Sequence, residues 1–161
     1  MKKFFVAFLS ILSVLCVLLI LPAGCADKTY QKSKSYYEIN TEDPVWKTYQ
    51  STAAMRAAVH LDEEVLKDKS TEEVLRATLE YPLIGDLFAF STTELAVSQV
   101  SEHCTALRIL LEREDAYACL TDFYNTKETS VYKVQAPQSQ RDIAPYVVEE
   151  LLDYLGNETD T

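Results

Sequence analysis

Through the middle of the chain, apolar residues return at intervals of three and four: Ala96, Val100, Cys104, Leu107, Leu110 and Leu111, with His103 in the same stripe. That period marks one buried face of a helix. Glu94, Ser98, Ser101, Glu102, Thr105 and Arg108 fill the other side, as a solvated face requires. Ser91 followed by Glu94 has the form of a capping box, so the pattern predicts a central helix over 92–112 entered at Ser91. Ser70 and Glu73 make the same box upstream. They predict a short helix from Thr71 with Val74, Leu75, Thr78 and Leu79 on its apolar side. Pro82 stops it, because the residue before a proline is pushed out of the helical region. Between the two boxes, Leu83, Ile84, Leu87, Phe88 and Phe90 form a dense apolar segment broken by Gly85 and Asp86. Its spacing fits a short helix or an extended crossing, and the helix is preferred.

After the central helix, the acidic run 112–115 suits the positive end of a new helix. Ala116, Cys119, Leu120, Phe123 and Tyr124 follow, a segment predicted to fold back on the central helix as a hairpin. Towards the N-terminus, Asp43-Pro44 is a helix start with proline in the first turn. Trp46, Tyr49, Ala53, Ala57 and His60 carry that helix to near His60, and Asp62 caps a brief second one through Lys67. Beyond the polar stretch 126–140, the Val131-Tyr132-Lys133-Val134 alternation suggests a short extended piece. Ile143, Val147, Leu151 and Leu155 then recur every four residues. They predict a last helix from Arg141 to Leu155, with Pro145 in its first turn and Gly156 as its cap. The expected fold is all-α, a compact bundle of about five to six short helices around the central one. It occupies 42–156, with 157–161 a disordered tail.

The first residues are a different kind of segment. Lys2 and Lys3 precede a charge-free apolar run from Phe4 to Leu21, the charged and hydrophobic parts of an export signal. The run is near the length of a bilayer span, so an uncleaved anchor is the competing reading. Either way the two lysines hold the N-terminus in the cytoplasm and the domain lies outside. Leu21-Pro22-Ala23-Gly24-Cys25 resembles the lipobox of bacterial lipoproteins, in which small residues precede a cysteine that becomes the lipid-modified first residue. Pro22 departs from the pattern, which usually has leucine there. The resemblance implies a signal peptide over 1–24, a lipid on Cys25, and a chain anchored in the cell membrane on its extracytoplasmic face. Ordinary secretion with cleavage nearby is the alternative. Residues 25–41 hold Lys28, Lys32 and Lys34 among Ser, Gln and Tyr without apolar periodicity. They read as a flexible tether, whose fifteen residues from Asp27 to Thr41 reach at most ~50 Å.

Composition narrows the classes. A chain of 161 residues that is 48% hydrophobic has material for one core, and three glycines with five prolines argue against a turn-rich β-sandwich. The formal net charge of -10 speaks against nucleic acid as a partner, since phosphate binding needs clustered Lys and Arg.

The candidate chemistry is thin. Of four cysteines, Cys16 lies in the leader and Cys25 is the expected lipid site. Cys104 and Cys119 flank the 112–115 turn, so a hairpin would bring them within disulfide reach in an oxidising compartment. As free thiols they would serve as small core residues, and both readings stay open. His103, Cys104 and Cys119 form a nucleus for a metal without paired-ligand spacing, so no metal or cofactor is assigned. His60 and His103 are the only histidines, and no Gly-x-Ser-x-Gly accompanies them, so no catalytic residue is assigned. Adjacent acids such as Glu63/Glu64, Glu72/Glu73 and Glu149/Glu150 do not face a common point on a helix. Ten tyrosines, among them Tyr30, Tyr36, Tyr37 and Tyr49, offer either a contact surface or core and tether material.

The run Met55-Arg-Ala-Ala-Val-His-Leu-Asp-Glu-Glu-Val-Leu-Lys, with Ser70-Thr-Glu-Glu-Val-Leu, Tyr81-Pro-Leu and Leu110-Leu-Glu-Arg-Glu-Asp-Ala, resembles a small helical domain of exported proteins and lipoproteins of Gram-positive bacteria. The resemblance covers Met55 to Tyr124, implies a helical exported module, and transfers no catalytic residue and no established activity. Three function classes follow: a membrane-anchored, non-catalytic protein-interaction module; an inhibitor or immunity-type protein whose acidic surface meets a basic toxin or enzyme; and, third, a hydrolase.

Overall fold

Local signals place most of the helices. The computed structural model describes residues 34–126 and 134–159. The leader, Cys25 and residues 131–133 of the expected extended piece lie outside them. Six α-helices stand among the described residues: α1 (Thr52–Ala58), α2 (Thr71–Leu79), α3 (Thr93–Ser101), α4 (Thr105–Leu111), α5 (Ala116–Asn125) and α6 (Gln138–Thr159). Tighter 3-10 turns run over Pro44–Thr48, Glu63–Val65 and Ile84–Ala89. There is no strand among these residues, and the domain is all-α.

The box at α2 forms as its residues require: Ser70 Oγ accepts from Glu73 N at 3.3 Å while the Glu73 carboxylate accepts from Ser70 N at 3.4 Å. At α3 the start moves by one. Thr92, not Ser91, is the cap, accepting from Leu95 N at 3.3 Å. Asp62 caps the Glu63–Val65 turn through Glu64 N.

The expected central helix over 92–112 is two helices. Backbone at Cys104 turns extended (φ -105°, ψ 93°), and its carbonyl accepts from Arg108 N as the first bond of α4. His103, Cys104 and Thr105 are weak helix formers, so the break costs little there, and it buries Cys104 fully while aiming α4 at α2. Ala96, Val100, Cys104, Leu107 and Leu110 are all buried, so the stripe survives the break. The hub is instead α2, which packs against α4, α5 and α6. Val74, Leu75, Ala77, Thr78 and Leu79 are buried on it, and the Thr78 hydroxyl is satisfied by donating to Val74 O at 3.0 Å. Nor does α5 fold back on α4 as a hairpin; its main neighbours are α6 and α2.

The predicted Asp43–His60 helix is also divided. Asp43 starts only the Pro44–Thr48 turn, and Ser51 opens α1 by accepting from Ala54 N at 3.2 Å. Serine favours such local bonding over continuing a helix. The buried residues there are Val59 and Leu61, whereas Ala53, Ala57 and His60 face solvent. At the other end, α6 starts at Gln138 rather than Arg141 and carries Pro145 in its interior. It runs through Gly156 to Thr159 instead of capping there. Arg108, expected to be merely solvated, bridges Glu63 at 2.7 Å and Glu112 at 3.4 Å.

Candidate functional site

The residues singled out for chemistry fall in separate places. Cys104 lies under Tyr37, whose ring packs against Tyr81 at 5.7 Å and 56°. Burial pushes the Cys104 thiol up to about 12, against the pull of the Leu107 and Ala106 backbone N–H groups. Burial pushes Cys119 up to about 11, helped by the nearby carboxylates of Asp115, Glu72 and Asp122. Both are free thiols in this structure, held protonated at neutral pH and therefore weak nucleophiles. The Tyr37 hydroxyl stands beside Cys104. His60 is exposed and His103 half-buried just past α3. Among the described residues no three His, Cys, Asp or Glu side chains gather as metal ligands would.

Two other arrangements are more informative. The first is a buried carboxylate. Glu80 follows α2 and is 2% exposed. One of its oxygens accepts from Ser35 Oγ at 3.1 Å and Tyr36 N at 2.9 Å. The other accepts from Gln135 N at 2.8 Å and faces Arg76 Nε at 3.5 Å. The Arg76 guanidinium in turn stacks 4.8 Å from the centre of the Tyr36 ring. Beside it, Gln140 Nε2 donates to the carbonyls of Leu79 (3.0 Å) and Tyr81 (2.6 Å), satisfying the end of α2. A buried charge persists only when paired and hydrogen-bonded, and Glu80 meets that condition by drawing three distant segments together. The C-terminal part of the expected tether is thus docked on the domain: Tyr37 is buried and Tyr36 half-buried.

The second arrangement is an open groove of about 500 Å³ lined by Phe88, Ile143, Tyr146, Glu149, Glu150 and Asp153. Helix periods explain both walls. Three residues per turn put Ile84 and Leu87 of the 3-10 turn on one side, where both are buried, and this turns Phe88 outward at 46% exposure. On α6, Ala144, Val147, Val148 and Leu151 are buried in the core. That leaves Tyr146, 61% exposed, and the three carboxylates on the outer side. Two of the acids are held in place: Thr93 Oγ1 donates to Glu150 at 2.7 Å and the Tyr124 hydroxyl to Glu149 at 3.4 Å. The 3-10 turn thus contributes one ring, and α6 contributes Ile143, a second ring and all three acids. Exposed rings gathered beside a concavity mark contact surfaces more often than chance exposure does.

The tyrosines expected to form a contact surface lie elsewhere. Tyr36 and Tyr37 dock on the core, and Tyr49 meets Trp46 edge-on at 6.0 Å. The signal that was present for the groove is the outward half of α6, where Tyr146, Glu149, Glu150 and Asp153 recur at three and four beside the apolar stripe. No family model, curated protein or solved structure matches the chain.

Proposed function

We propose that this chain is a membrane-anchored lipoprotein whose helical domain serves as a non-catalytic protein-interaction module on the extracytoplasmic face. The groove between the Ile84–Ala89 turn and α6 carries the reading: it is lined by two exposed aromatic rings and three carboxylates, two of them held by hydrogen bonds. The raised thiols of Cys104 and Cys119 support binding over nucleophilic chemistry. Lys2, Lys3, the apolar run from Phe4 to Leu21 and Ala23-Gly24-Cys25 support the anchor, and the likeness of Met55 to Tyr124 to exported Gram-positive domains supports the compartment. Among the described residues no helix is long and apolar enough to cross a membrane.

Mass spectrometry of the membrane fraction tests the anchor. The mature chain begins at a diacylglyceryl-modified Cys25, and Cys25→Ser abolishes both the lipid and the processing. An intact leader, or a Cys25→Ser chain processed and retained as before, overturns it. The acidic wall also favours a second reading, an inhibitor or immunity-type protein against a basic toxin or enzyme. Deleting the gene separates the two, because only the second predicts new sensitivity to the secreted products of neighbouring strains.

A further inference from the structure

We infer that the groove receives a basic segment of another protein, one carrying an apolar side chain flanked by lysines or arginines; this rests on the interaction reading above. The lining asks for two kinds of contact. Phe88, Ile143 and Tyr146 supply an apolar seat, and Glu149, Glu150 and Asp153 supply anionic contacts along one side of α6. A cation laid over an exposed aromatic ring is attracted by its face, so Lys or Arg stems crossing Tyr146 towards the acids satisfy both.

The spacing points the same way. Glu149 and Asp153 stand four residues apart on one face of α6, about 6 Å along its axis. Like charges so placed disfavour the helix that carries them, and cations seated between them relieve that repulsion. Thr93 and Tyr124 already orient two of the acids, so little ordering is left for the moment of binding. Other occupants fit less well. Anionic lipid headgroups and phosphates meet three carboxylates, and a second copy of this chain brings a formal charge of -10. A small organic cation would want an enclosed cage, whereas this groove is open along its length.

The test uses the full chain in nanodiscs of zwitterionic phosphatidylcholine, with empty discs as background. Three fluorescent hexapeptides are compared by anisotropy: four lysines around a Leu-Phe pair, four lysines around a Ser-Ser pair, and four glutamates around Leu-Phe. The first binds best, and its affinity falls about tenfold in the Glu149→Gln/Asp153→Asn double variant, in Tyr146→Ser, and with added salt. Glu114→Gln, an exposed acid elsewhere, leaves it unchanged. The proposal is overturned if the glutamate peptide binds equally well, or if the groove variants bind the lysine peptide as the parent does. A photoreactive phenylalanine at position 146 in intact cells distinguishes the two levels of reading. Adducts there, without any preference for the lysine peptide, sink the partner's charge and leave the interaction module standing. Absence of adducts under every growth condition, again without such a preference, sinks both.

Discussion

Glu80 shows what a single side chain contributes and why its role is invisible locally. In the sequence it is one acid among 25 acidic residues, at the end of an amphipathic helix where solvent is the ordinary expectation. Its partners Ser35, Tyr36 and Gln135 lie 44 to 55 positions away, so no spacing rule reaches them. Removing one side of a buried charge pair leaves the other uncompensated, and here it also strands two backbone N–H donors. Glu80→Ala therefore costs about 3–5 kcal/mol, read from the denaturant midpoint with Trp46, the one tryptophan, as the fluorescent reporter. Glu80→Gln, which keeps the shape but turns an amide donor towards other donors, also destabilises. An unchanged midpoint in Glu80→Ala would show that the clamp holds nothing. The cysteines are the opposite case. Their faces were legible from period alone, because burial follows from neighbours three and four residues away, and Cys104 is buried as its stripe requires. Their pairing was not legible, since it depended on a hairpin that does not form.

Among the elements, two of the expected caps form, while Thr92 replaces Ser91, Asp43 makes no side-chain cap bond and Gly156 lies inside α6. Ser70 and Asp62 act where their side chains say they should, because a cap needs only the next few residues. The breaks at Tyr49 to Ser51 and at Glu102 to Cys104 are different. The second gives up a few helical bonds so that α4 meets α2, a gain that appears only in the assembled bundle, whereas the first leads into α1, which buries none of its residues and starts on the local bond to Ser51. The last helix shows the reverse: packing carries α6 straight through Pro145, although proline lacks the N–H that would bond the carbonyl four residues back and its ring crowds that carbonyl. Pro145→Ala restores that bond and raises stability by about 1–3 kcal/mol, measured by thermal denaturation. A loss of stability would mean that the backbone conformation proline fixes there is needed to seat Val147 and Leu151, which α6 buries.

For the whole molecule, helical class and the existence of one core followed from composition and period. The choice of α2 as hub did not, because its stripe shows which face is buried, Val74, Leu75, Thr78 and Leu79, but not that three helices distant in the chain converge on it. Buried acids set the pH range of this core. Burial raises Cys104 from 9.0 to about 12, Cys119 from 9.0 to about 11, and Tyr37 and Tyr81 above their ordinary value. From pH 9 upward the unfolded chain releases these protons while the folded chain keeps them, so stability falls as pH rises. It is fully present below about pH 9 and declines through the thiol window that ends near 12. Denaturant midpoints at neutral pH and at about pH 10 check this, and Cys119→Ala, which removes one of the groups, flattens the fall. Equal midpoints would contradict the burial of these groups. Glu80 has one more consequence, and it is mechanical. A pull arriving from the N-terminal side reaches Ser35 and Tyr36 first, and these pass the tension to a residue at the end of α2. Tension therefore enters the bundle at its middle, through hydrogen bonds that also hold Gln135 ahead of α6, and the domain resists as a unit instead of unravelling from its first residues.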